Sequence, residues 1–156
     1  ELAQAYANSK VTIWCSNGKV IATQARAGDA ASSGSISELF DAQALFVITA
    51  WNPESVELTA EENSRANQAL LVDLQTLGCP ILNATGSSLD DSWSEGSFAV
   101  SVADETSSPT IQNRIFELAI KYRQNAFFKI TSETIEVLGA LYEDLHVSMP
   151  LALTKY

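Results

Sequence analysis

VTIWCSNGKVIATQ, residues 11–24, is the clearest local signal in the chain, and the use made of it decides the fold. Two runs with alternating apolar positions flank Asn17-Gly18, a dipeptide that tolerates positive φ and suits a type I′ hairpin turn. With that turn, Cys15 faces Val20, Trp14 faces Ile21 and Ile13 faces Ala22. Apolar groups stand on both faces, so the hairpin is expected to be covered on both sides, at least in part. It would do so by extending a sheet or by lying over one.

Moving outward from the hairpin, Leu2, Ala5 and Tyr6 could face a core from a short first helix. Residues 25–35, ARAGDAASSGS, read as a connector of small residues. Gly28 and Gly34 lack the spacing of a phosphate-binding loop, and no Lys follows Gly34. SISELF, residues 35–40, adds a helical turn before a strand over 44–50, which ends abruptly on Trp51-Asn52-Pro53. The best helix follows: Thr59 and Glu62 form a capping box, and Gly78 with Pro80 marks its stop. The strand PILNAT (80–85), a turn-rich stretch GSSLDDSWSEG (86–96) and the strand SFAVSVA (97–103) come next. A further helix opens at Ser108-Pro109, with Ile111, Ile115, Leu118 and Tyr122 on one stripe. NAFFKI and TIEVLG are strands, and LHVSM (145–149) is a last short one.

From 44 to 130 the order is β-α-β-β-α-β, the split βαβ arrangement of a ferredoxin-like sheet with helices on one face. The expectation is therefore an α+β protein, one compact domain over residues 1–156. Its core would span 44–130, with the 11–24 hairpin added at the N-terminus and one or more extra strands at the C-terminus.

Nineteen acids against nine Lys plus Arg give a net charge of −10. The cations are scattered, and only Lys121 and Arg123 lie close together. No stripe can displace counterions from phosphates, which argues against a nucleic-acid duplex as partner. No apolar run approaches the length of a membrane span. ELAQAYANSK has neither the basic nor the apolar region of a secretory signal, and without Met the chain reads as a trimmed product. Cys15 and Cys79 read as small, reduced, near-core side chains. A soluble, acidic protein of the cytoplasm is the expectation, with a small polar ligand or a protein partner.

The polar residues converge. Leu70, Leu74 and Leu77 define the buried stripe of the 60–77 helix, and Asn63 and Asn67 fall on that stripe one and two turns earlier. A buried amide without a hydrogen-bond partner costs on the order of 1–3 kcal/mol, so that half of the helix should face something polar. Thr49 and Asn52, at the end of the 44–50 strand, are the nearest candidates. They either close the loop between strand and helix or line a pocket at the helix start. In DDSWSEGS, Trp93 and Glu95 share a side if the segment is extended, and an acid beside an indole can serve as general acid or base. Asp90, Asp91 and Glu95 match no strong metal pattern, and no metal site is expected. Gln124 could reach the sheet edge, and Asn125 offers itself as a helix C-cap. His146 carries little weight: it falls with Ser148 on the face opposite Leu145, Val147 and Met149.

FVITAWNP, EENSRAN followed by LLVDL, DSWSEGSFAV and YRQNAFF, in that order, resemble the bacterial family catalogued as domain of unknown function 3293. Thr49, Asn52, Pro53, Asn63, Asn67, Trp93, Glu95, Gln124 and Asn125 sit at the positions that carry the resemblance. It implies a small cytoplasmic domain with a largely polar motif, and no reaction or cofactor. Three functional classes remain open. The first is a polar small-molecule or nucleotide-type site with Glu95 as the catalytic group and Thr49, Asn52, Asn63, Asn67, Trp93, Gln124 and Asn125 binding the ligand. The second is a non-catalytic interaction module anchored by Trp14, Trp51 or Trp93. The third is a motif that only fixes loops.

Overall fold

A computed structural model describes residues 2–26 and 34–156. In chain order the elements are α1 (Leu2–Ala7), β1 (Ser9–Cys15), β2 (Gly18–Gln24), α2 (Ile36–Phe40), β3 (Ala44–Ile48), a single 3₁₀ turn (Pro53–Ser55), α3 (Ala60–Gln75) and β4 (Ile81–Ser88). They continue with β5 (Ser94–Val102), α4 (Ser108–Lys121), β6 (Ala126–Ile130), β7 (Thr134–Gly139) and β8 (His146–Lys155). The connector expected over 25–35 lies largely outside the described residues.

The eight strands form a closed antiparallel barrel in the order β1-β2-β8-β7-β6-β3-β5-β4. This overturns the expected open α+β, ferredoxin-like βαββαβ sheet. The strands expected over 44–130 do lie side by side, but neither edge of that group is free. β4 pairs with β1 from Ser9↔Ser88 to Ile13↔Ala84, and β6 pairs with β7. The ring is completed by β8, which runs ten residues and pairs with β7 on one side and β2 on the other. Pro150 made the sequence look like a strand ending at Met149. In the barrel the proline nitrogen needs no partner, while its carbonyl accepts from the Ala25 amide at 2.7 Å.

Alternation along each strand divides the apolar residues into two cores. Val11, Ile13, Val20, Ala22, Leu45, Val47, Ala99, Ile130, Val137 and Leu153 fill the interior with Ile36 of α2. Ala44, Phe46 and Ile48 point outward, where Leu70 and Leu74 of α3 and Ile115 and Ala119 of α4 cover them. β3 is thus buried on both faces, which is why it reads as an unbroken apolar run. The two helices are clipped together at their exposed ends, where Lys121 and the Tyr122 hydroxyl both donate to Asp73, at 2.8 and 2.6 Å. Those two hydrogen bonds hold the Asp73 carboxyl below its ordinary range. No helix among the described residues is long and apolar enough to cross a membrane.

The hairpin forms with a register two residues away from the expected one. Cys15 pairs with Gly18 and Ile13 with Val20, so Ser16 and Asn17 make the turn and neither has positive φ. A slip of two keeps every side chain on its own face, and the core is unchanged. On the inner face Val11, Ile13, Val20 and Ala22 are fully buried, whereas on the outer face Thr12 is buried and Trp14 is 44% exposed. Gly18 has φ +141°, and a Cβ there would stand 2.2 Å from the Tyr156 carbonyl oxygen. Gly18→Ala is therefore expected to destabilise by about 1–3 kcal/mol, read as a lower midpoint in urea unfolding.

Candidate functional site

The first part of the site is a loop. β3 ends at Ile48, and the chain then takes left-handed conformations at Asn52, Glu54 and Ser55, with φ of 47°, 55° and 63°. Non-glycine residues hold such conformations only where their surroundings over-determine them. Asn63, 1% exposed, supplies much of that constraint. Its Oδ1 accepts from the Asn52 amide at 2.8 Å, and its Nδ2 donates to Asn52 Oδ1 at 2.8 Å. Asn52 Oδ1 also accepts from the Leu58 amide at 3.0 Å.

One turn along α3, Asn67 Oδ1 accepts from the Ala50 amide at 2.8 Å while its Nδ2 donates to the Gly96 carbonyl at 2.9 Å. The far end of the loop is held by Asn125, which donates to Ser55 Oγ at 2.9 Å, and by an ion pair between Arg123 and Glu54. The expected capping box of Thr59 and Glu62 is formed. Asn125 does not cap α4. That helix closes through Arg123, left-handed at φ 57°, with the Gln124 amide donating to Ala119 at 2.8 Å.

The second part is a hollow of about 50 Å³ at the adjacent end of the barrel. Glu95 lines it, because β5 alternation turns Glu95, Ser97 and Ala99 inward, in register with Gly86, Ala84 and Leu82. Thr49, Trp93 and Gln124 line it too, as do Tyr6 and Ser9 from the N-terminal segment. No hydrogen bond among the described residues reaches the Glu95 carboxyl. Burial alone pushes its pKa up to about 7. The Tyr6 phenol is pushed up to about 12, chiefly by burial and secondarily by the neighbouring Glu95 charge.

The structure therefore sorts the sequence-predicted residues into two sets. Thr49, Trp93, Glu95 and Gln124 surround the hollow. Asn52, Asn63, Asn67 and Asn125 tie the 49–59 loop to α3 and to the end of α4. Thr49 and Gln124 join the sets: Thr49 Oγ1 donates to Gly96 at 2.6 Å and accepts from the Trp51 amide, and Gln124 donates to the Trp51 carbonyl at 3.3 Å. Tyr6, Ser9 and Ser97 were missed as site residues. Ser97 was legible from alternation with Glu95, whereas nothing local signals that Tyr6 meets β5.

The three acids considered for a metal part company. Asp91 pairs with Lys10, Asp90 accepts from Ser88 and the Ser92 amide, and Glu95 turns into the barrel. Among the described residues no group of three or more His, Cys, Asp or Glu could hold a metal ion.

A family model described as Protein of unknown function (DUF3293) matches residues 48–127. No curated protein and no solved structure matches the chain. The family match runs from the end of β3 into β6 and includes both the pinned loop and Glu95; the chain belongs to that family.

Proposed function

We propose, taking that membership as the premise, that the open end of the barrel binds a small polar molecule and that Glu95 exchanges a proton with it. One observation carries the reading: a carboxyl group sits in a hollow, without a hydrogen-bond partner, and titrates near neutrality. Desolvated acids of this kind concentrate at functional sites, and a pKa near the working pH suits a general acid or base. Thr49, Trp93 and Gln124 surround the bound group, while the asparagine network holds Thr49 and Gly96 in place behind it.

The size of the hollow narrows the ligand. A dry cavity of about 150 Å³ accepts benzene, so one of about 50 Å³ takes a functional group rather than a ring. A nucleotide could present only such a group, with its base outside. The alternative, a protein-interaction module, finds no free strand edge to pair with, because every strand of the barrel is paired on both sides. Trp14 and Trp93 remain as exposed aromatics.

A thermal-shift screen of polar metabolites tests the proposal. A ligand at a hundredfold its dissociation constant adds about 2.7 kcal/mol of stability. The expected hit loses its shift in both Glu95→Gln and Trp93→Ala. A shift that survives both substitutions places binding elsewhere, and silence across a broad screen leaves the polar motif with only its loop-fixing role.

A further inference from the structure

The side-chain hydrogens that Ser9, Thr49, Ser97 and Gln124 bring to the hollow are already committed. Ser9 donates its hydroxyl hydrogen to the Tyr6 carbonyl at 2.6 Å, Thr49 to the Gly96 carbonyl at 2.6 Å and Ser97 to the Glu95 carbonyl at 3.1 Å. Gln124 directs its amide nitrogen to the Trp51 and Tyr122 carbonyls, at 3.3 and 3.2 Å. What these groups leave for a visitor is oxygen lone pairs: Gln124 Oε1, three hydroxyl oxygens and the Glu95 carboxyl. Among the described lining residues, the Tyr6 phenol and the Trp93 indole N–H are the donors without an acceptor, fewer than the free oxygens. A site so rich in acceptors is matched by a group made of donors. An incoming anion would meet lone pairs and a carboxylate instead, inside a chain of net charge −10.

We propose that the hollow receives the primary ammonium group of a small amine, held by Glu95 and Gln124 Oε1, with Trp93 and Tyr6 beside its alkyl stem. The inference rests on the ligand-site reading above and specifies its chemistry. An –NH₃⁺ group offers three donors and a full charge to a carboxylate that has no other partner. The volume of about 50 Å³ suits an ammonium with its first carbon and is too small for a ring. Trp and Tyr faces add the attraction of aromatic rings for cations.

Three probes of equal length separate the outcomes: n-propylammonium chloride, n-propanol and sodium propionate, at matched ionic strength. The readout is amide and indole chemical shifts of Trp93, Glu95 and Ser97 in two-dimensional NMR of the full chain. Propylammonium is expected to move these signals saturably. Its affinity should fall about tenfold per pH unit below 7 and level off above it, because only the ionised Glu95 holds the cation. Glu95→Gln and Glu95→Ala, each with an otherwise intact spectrum, should lose the response. Saturation by propanol or propionate without propylammonium overturns the ammonium assignment and leaves the ligand site standing. No response to any probe at these residues overturns both.

Discussion

At pH 8 the Glu95→Gln variant is expected to melt roughly 6–12 °C above the parent chain, and at pH 4 to melt alongside it. The sign follows from linkage. The folded pKa of Glu95, about 7, lies above its ordinary value of 4.5, so the folded state binds the proton more tightly. Below the unfolded pKa both states are protonated and nothing is lost. As pH rises from 4.5 to 7 the unfolded chain releases the proton first, and stability falls by roughly 3 kcal/mol. Above 7 the deficit is constant. Glutamine carries no charge to desolvate, so the variant lacks this decline. Calorimetry of both proteins at intervals from pH 4 to 8 reads the effect directly, and parallel curves would refute the burial of an unpaired Glu95.

Asn67→Ala acts in the opposite direction. The substitution leaves the buried Ala50 amide without an acceptor and removes one of the two donors on the Gly96 carbonyl; the Thr49 hydroxyl remains as the other. A loss of roughly 2–3 kcal/mol is expected, read as a melting temperature lower by about 5–10 °C. Gln68→Ala, one residue away on the exposed face of α3, should move it by less than about 0.5 kcal/mol. Equal effects from the two substitutions would mean that the amide of Asn67 bonds nothing of consequence.

The stripe that carries Asn67 was readable because its logic is local. Leu70 and Leu74 define a face, helical geometry puts Asn63 and Asn67 on it, and an amide there must find partners. The capping box of Thr59 and Glu62 is local in the same sense. Closure of the sheet was not readable, since it depends on residues 9–13 meeting 84–88 and residues 20–24 meeting 151–155. The alternation of Leu151 and Leu153 beyond Pro150 was the available signal, and the proline masked it. The hollow was hidden for a related reason: Tyr6 and Ser9 reach it only because the barrel closes. Which of the motif's polar groups face the hollow and which hold the loop depends on hydrogen-bond partners, and spacing along the chain does not encode those.

The ring of strands also sets an order of events at the ribosome. Until Leu151–Lys155 has emerged, β2 and β7 cannot both be bridged, and a growing chain carries two bare rims able to recruit a neighbour. Pairings between segments so distant along the chain form slowly. A nascent copy therefore stays exposed to aggregation until β8 has arrived.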